Sequence, residues 1–289
     1  MADDRMSRRR ALGIFGAVGA GAAGLVAAAR SLGSPAPRAK VTEGTVREVE
    51  QYGNLPRQKG EWWLPPDAPA GPLRTVVLVH GGYWRDTFDL SLEDAVAADL
   101  AGRGFLVWNV DYRPSTAPWP ATLTDAAAAY DHLVNGTYAD RVDLDRVSVV
   151  GHSAGGHLAL WLASRTAQTP GGPRTGPTPA AVVAQAPVAA LADGAREGLG
   201  GGAVLALVQG SPEDAPDRYA VADPIALLPT GVRTVCVHAP GDDLVPISQS
   251  EKYVAAAGSD ASLVRFEGGH FEHLDPASTA CQAMRDALA

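Results

Sequence analysis

The chain has 289 residues, 46% of them hydrophobic and 19% charged, and a formal net charge of −8. This length and composition support one domain with a sizeable core and exclude wholesale disorder. The acidic balance argues against nucleic acid or an anionic membrane as partner, because both call for a basic face; a small molecule bound by a monomer or homodimer is expected instead.

Residues 1–30 read as a leader. Ser7-Arg8-Arg9-Arg10 is a basic start, and Gly13 to Ala29 is an uncharged run rich in Ala and Gly, the n-region and h-region of an export signal. The adjacent arginines resemble the twin-arginine type. The run is short and weakly hydrophobic for a stable span, so cleavage near Ala27-Ala28-Ala29, or nearer Pro35 to Ala39, is expected over a retained anchor. An exported protein follows, periplasmic, cell-surface or secreted, with no membrane attachment once the signal is removed. Gly19-Ala20-Gly21-Ala22-Ala23-Gly24 matches a dinucleotide fingerprint, but that loop must follow a strand and open a helix. Within a leader it implies no cofactor. Residues 1–40 are thus read as export signal and linker, and 41–289 as the catalytic domain.

Val41 to Gln51 alternates polar and apolar residues and predicts a half-exposed strand, with Trp62-Trp63-Leu64 as its hairpin partner. Thr75 to His80 is a near-continuous apolar run, the signature of a strand covered on both faces, and it ends in His80-Gly81-Gly82-Tyr83-Trp84. A helix capped by Ser91 is predicted to Arg103, a strand over Phe105 to Val110, a helix over Thr122 to Leu133, and a strand over Val147 to Val150. Gly151-His152-Ser153-Ala154-Gly155 follows, then a helix over Ala154 to Arg165. Thr169 to Pro179 is rich in Pro, Gly and Thr and predicts a surface loop. Ala181 to Gln185 reads as a strand, and Val188 to Asp217 as a glycine-rich partial cap with an apolar helical piece over Ala203 to Val208. A strand over Val232 to His238, a helix over Ser248 to Ala257, a strand over Ser262 to Phe266 and a helix over Pro276 to Leu288 complete the chain.

This alternation predicts an α/β fold with a mostly parallel sheet of about eight strands and helices on both faces. Sites in such sheets lie outside the carboxyl ends of the strands, which selects His80 to Trp84, Asp111 to Pro114, Gln185 to Pro187, and the turns after His238 and Phe266. Cys236 and Cys281 read as two buried free thiols in preference to a bridge. With no CxxC or HExxH and with scattered histidines, no metal site is expected.

A GxSxG between a buried strand and a helix describes a sharp turn that lifts its serine above the sheet, making Ser153 the candidate nucleophile. A serine hydroxyl needs a base, usually His oriented by a carboxylate. Ala239-Pro240-Gly241-Asp242-Asp243-Leu244-Val245-Pro246 supplies acids after one strand, and Glu267-Gly268-Gly269-His270-Phe271 a histidine after the last. Asp242 is favoured over Asp243 on its spacing before Val245-Pro246. His270, directly after two glycines, is favoured over His273. His152 and His157 are expected in structural roles and His238 as a satisfied core residue. Oxyanion donors are expected from the amides of Ala154, Gly82 and Tyr83. Trp84 is the candidate substrate-binding residue and, with Trp119 and the cap, would wall a pocket, core packing being the alternative for both tryptophans.

These residues resemble the α/β-hydrolase superfamily from about Val41 onward. His80-Gly81-Gly82-Tyr83-Trp84 with Gly151-His152-Ser153-Ala154-Gly155-Gly156-His157-Leu158 is similar to the branch of arylformamidases (kynurenine formamidases), hormone-sensitive-lipase-like carboxylesterases and prolyl-oligopeptidase-related esterases. The resemblance implies a Ser153, Asp242, His270 triad, small acyl substrates, and a structural or pocket-edge role for Asp111-Tyr112-Arg113. A serine hydrolase cleaving carboxylic esters or related amides and formamides is the expected function. A kynurenine formamidase proper, which the leader counts against, a prolyl-oligopeptidase-like peptidase and a binding protein without activity are the alternatives.

Overall fold

The computed structural model describes residues 44–289; the leader and linker read in residues 1–40 lie outside the described residues. Eight strands form one sheet in the order β1-β2-β4-β3-β5-β6-β7-β8: β1 Val46–Gln51, β2 Lys59–Leu64, β3 Leu73–Val79, β4 Leu106–Val110, β5 Val142–His152, β6 Ala181–Gln185, β7 Thr234–His238 and β8 Ala261–Arg265. β1 pairs antiparallel with β2, and β2 with β4. All pairings from β4 through β3 to β8 are parallel.

Every residue of β4, β6 and β7 is buried, as expected of strands covered on both faces. One face carries Val76, Leu78, Val150, Val183, Val235 and Val237, which pack with α1 (Asp94–Gly102) through Val96, Ala97 and Leu100, and with α8 (Thr279–Leu288) through Ala280, Cys281 and Met284. Because side chains alternate along a strand, Val77, Val149 and Val182 point to the other face, where α3 (Ala154–Ala163) packs on β5 and β6 and against α2 (Ala121–Asp131). Cys236 and Cys281 are both buried free thiols.

The first predicted helix is corrected at its start. Asp89, not Ser91, is the capping side chain, accepting from the Ser91 amide at 2.9 Å, and a 3-10 turn Leu90–Glu93 precedes α1. The last helix begins at Thr279 rather than Pro276, because the Ser278 side chain caps it through the Cys281 amide. β5 is longer than predicted, its amino-terminal half carrying Asp143, Asp145 and Arg146 toward solvent ahead of an irregularity in the register with β3.

The segment read as a cap holds more helix than expected: α4 Leu191–Arg196, α5 Leu199–Val208 and α6 Pro216–Ala222, before α7 Ser248–Ala257. The start of α5 is not regular. Gly200, Gly201 and Gly202 have φ of 63°, 65° and 85°, a left-handed region that glycine enters without steric cost, so ordinary helix begins at Ala203, as read.

Candidate active site

Ser153 stands between β5 and α3 with φ 57° and ψ −117°, a sparsely populated conformation that stores about 1–3 kcal/mol. The turn is held by the surrounding backbone: the Ser153 amide donates to Gln185 O at 2.7 Å, and Ser153 O accepts from the His157 amide at 3.1 Å. Its glycines are fixed by space. A Cβ on Gly151 would lie under 3.0 Å from Gly155 O, and one on Gly155 under 3.0 Å from the carbonyl oxygens of Val79 and His80. β3 therefore lies against the elbow with no room for a methyl group.

The loop after β3 runs beside it. A Cβ on Gly81 would lie 3.1 Å from Ser153 Cβ. Gly82, Tyr83 and Trp84 take φ of 108°, 51° and 53°, which is costly for the two aromatic residues. Amides of Gly82 and Tyr83 donate to no acceptor among the described residues. The Gly81–Gly82 peptide is oriented from behind. His80 Nδ1 donates to Gly81 O at 2.7 Å, and His80 Nε2 lies 3.2 Å from Asp111 Oδ1, which Arg57 also reaches at 3.1 Å. In a planar trans peptide C=O and N–H point oppositely, so anchoring the carbonyl on His80 turns the Gly82 N–H the other way. Tyr112 stacks on His80 with ring centroids 4.3 Å apart, and Arg113 makes a two-pronged pair with Asp125 at 2.7 and 2.6 Å. Asp111 and Tyr112 thus buttress this loop, while Arg113 ties the turn after β4 to α2.

The turns after β7 and β8 bring the candidate acid and base together. His270 Nδ1 donates to Asp242 Oδ2 at 2.7 Å, while Asp243 is exposed. Asp242 Oδ1 accepts the amides of Leu244 and Val245, each at 2.9 Å, and Oδ2 also lies 3.3 Å from His238 Nε2. Burial alone would raise the Asp242 pKa, but the hydrogen bonds from His238, His270 and the Val245 amide outweigh it and hold the carboxyl far below its ordinary range. His238 is more than a core residue: its Nε2 is shared between this carboxylate and Val245 O at 2.9 Å, and its Nδ1 meets Ser250 Oγ at 2.8 Å.

Other predicted positions separate. His273 is buried with neither ring nitrogen partnered among the described residues, and burial pushes its pKa down to about 3. His157 donates to Ala222 O at 3.0 Å and ties α3 to α6. Of the two readings of Trp84, pocket wall and core packing, its surroundings favour the second: it is 0% exposed and edge-on to His157 at 5.2 Å. Trp119 is partly exposed with Arg218 over its ring at 5.8 Å. Sequence reasoning missed the contacts of His80, Asp111, His152 and His238; that each ends a strand or follows one was the available signal.

A family model described as BD-FAE matches residues 63–256, well over half of the chain. The chain belongs to the BD-FAE family. Curated proteins similar to this BD-FAE member include Esterase LipC of Mycobacterium tuberculosis (strain ATCC 25618 / H37Rv), 33% identical over 41% of this chain and 30% of that protein. Carboxylesterase NlhH of the same strain is 36% identical over 35% of this chain and 32% of its own. The match thus spans about a third of the length of these relatives. Among solved structures, Esterase B from Lactobacillus rhamnosis (HN001) has a TM-score of 0.76 at 20% identity, covering 93% of each chain. A truncated carbohydrate esterase from gut microbiota gives 0.72 at 20% identity over 86% of this chain and 98% of that one. At such identities the likeness is one of fold, and that fold is the α/β-hydrolase fold.

Proposed function

We propose that this BD-FAE family member is an exported serine carboxylesterase that hydrolyses small carboxylic esters through an acyl-enzyme. The observation that carries the reading is the 2.7 Å bond from His270 Nδ1 to the buried Asp242 carboxylate; the elbow serine, and amides of Gly82 and Tyr83 that donate to no acceptor among the described residues, support it. With Nδ1–H committed to Asp242, Nε2 is the nitrogen that takes the proton from Ser153 Oγ as it attacks the ester carbonyl. The amides of Gly82, Tyr83 and Ala154 bind the oxyanion of the tetrahedral intermediate. His270 returns the proton to the departing alcohol and then activates the water that frees the acid, while Asp242 stabilises the imidazolium formed in each half-reaction.

A fluorophosphonate probe and p-nitrophenyl acetate test this together. Expected are covalent labelling at Ser153 and ester turnover, both abolished in Ser153→Ala; a folded wild-type protein that neither labels nor turns over overturns it. The leader-like composition of residues 1–30 supports the export part. Sequencing the amino terminus of exported protein is expected to begin after Ala29, and a start at Met1 contradicts cleavage.

A further inference from the structure

The histidine preceding the elbow serine is used by none of the steps above, yet it lies where three parts of the site meet. His152 is the last residue of β5, paired in register with Gln185 of β6, so the sheet fixes its backbone. Its ring leaves the elbow toward the base: His152 Nε2 lies 2.9 Å from His270 O, and the two imidazoles are 4.6 Å apart between centroids. On its other side a Cβ on Gly81 would lie 3.1 Å from His152 Nδ1, which places the ring against the oxyanion loop as well.

A carbonyl only accepts, so the bond to His270 O requires a proton on His152 Nε2. Burial, then the neighbouring His270 and His273, hold His152 well below its ordinary pKa, so the ring is neutral and Nε2–H is its single donor. The loop carrying His270 needs such a restraint. Gly268 and Gly269 precede it, Gly268 with φ 156°, and the next fixed element is the 3-10 turn Glu272–Leu274. Asp242 restrains the His270 ring; the bond from His152 restrains its backbone.

We propose that His152 is a positioning residue of the ester-cleaving site, tying the backbone of His270 to the end of β5 so that the base keeps its place beside Ser153. The inference rests on the function proposed above, and it differs from a plain packing role in requiring a donor at one particular reach. Gln carries an amide nitrogen at about the reach of imidazole Nε2, whereas Asn stops near Nδ1.

The test compares His152→Gln and His152→Asn in the full chain for kcat and KM with p-nitrophenyl acetate, for the rate of Ser153 phosphonylation, and for the downfield proton resonance of the His270 Nδ1–H bond to Asp242. Because small displacements of reacting groups cost up to roughly 100-fold, His152→Asn is expected to lose about 10- to 100-fold in kcat and in phosphonylation rate, with KM within about threefold and the resonance broadened. His152→Gln is expected to stay within about fivefold and keep the resonance. Should His152→Asn fail to melt cooperatively, His152→Met, of similar reach and without a donor, takes its place with the same expectation. Equal loss in His152→Gln and in the variant compared with it, His152→Asn or His152→Met, or wild-type rates in both, overturns the inference while wild-type labelling at Ser153 leaves the esterase reading standing. Absence of that labelling in the wild type sinks the reading itself.

Discussion

The Tyr83 hydroxyl donates to the Leu244 carbonyl at 2.7 Å, joining the loop after β3 to the loop after β7. The Leu244 amide meanwhile donates to Asp242 Oδ1, so Leu244 is held on one side by the acid and on the other by a residue of the proposed oxyanion loop. Burial and the charge of Asp242 raise the Tyr83 pKa well above its usual value, which keeps the hydroxyl a donor. The cap joins the same assembly: Arg85 donates to Gly200 O at 2.5 Å, and a Cβ on Gly200 would meet the Tyr83 ring.

Removing that hydroxyl tests the coupling. Tyr83→Phe keeps the ring and its contact with Gly200 but leaves Leu244 O without its donor, a loss of about 1 kcal/mol. We expect thermal melting a few degrees lower and kcat/KM for p-nitrophenyl acetate down roughly 3- to 10-fold. An unchanged kcat/KM would show that the two loops keep their places independently.

The acid is separable from its neighbour by substitution. Asp242→Asn removes the carboxylate that fixes the His270 tautomer, and kcat is expected to fall by about three to four orders of magnitude. Asp243→Asn alters an exposed side chain and is expected to stay within about twofold. Steady-state kinetics on the two variants decides; the reverse ranking would place the acid at Asp243.

Much of this arrangement was legible in the sequence for a physical reason. The motifs at His80–Trp84, Ser153 and Asp242 follow apolar runs that form buried strands, His270 follows the more exposed edge strand β8, and parallel strands deliver such turns to one edge of a sheet. What stayed hidden depends on side-chain reach beyond the strands themselves. His152 crosses from the end of β5 to the loop after β8, and His238 reaches Asp242 four residues on, across the turn after β7; neither contact follows from the periodicity of any strand. Trp84 was open in the sequence between pocket wall and core packing, and only the fold, which sets its ring edge-on to His157, separates the two. Helices α4 and α6 escaped notice because they are short and flanked by Gly, Pro and Asp, residues that read as loop. In α6 the proline stands at the first turn, where its missing N–H costs nothing.

The elbow glycines give a prediction about folding rather than catalysis. A methyl group on Gly155 would press on the carbonyls of Val79 and His80, which belong to a central strand and its end and cannot yield as a flexible side chain would. Gly155→Ala is expected to destabilise by about 3 kcal/mol or more, seen as insoluble expression or a melting temperature lower by 10 °C or more. Gly172→Ala, where no atom lies within 4 Å of the added Cβ, bears only the strain of its φ of 69° and is expected to cost about 1 kcal/mol. Equal melting temperatures in the two variants would remove the steric argument for the elbow.

Buried titrating groups set the pH at which the fold is most stable. Burial lowers the pKa of His157 to about 4 and of His273 to about 3, and pushes His152 the same way. From pH 6.5 down toward 4 the unfolded chain therefore takes up protons at these histidines that the folded chain does not, and stability falls with pH, by up to ~1.4 kcal/mol per pH unit for each group. Glu93 acts in the opposite sense: burial and then Asp94 raise its pKa to about 8, so between pH 8 and 4.5 the folded chain holds a proton that the unfolded chain has lost, and stability rises as pH falls. Asp242, held far below its ordinary value, keeps its contribution until the pH drops below the unfolded carboxylate range near 4. Above pH 6.5 Glu93 acts alone; below it three histidines outweigh one carboxyl. Urea unfolding is accordingly expected to show greatest stability near pH 6.5 and a loss of about 3 kcal/mol by pH 5. In Glu93→Gln, which stays neutral throughout, the rise from pH 8 to 6.5 is expected to vanish while the fall below 6.5 remains. A rise that survives this substitution would show that the Glu93 carboxyl is ionised in the folded protein.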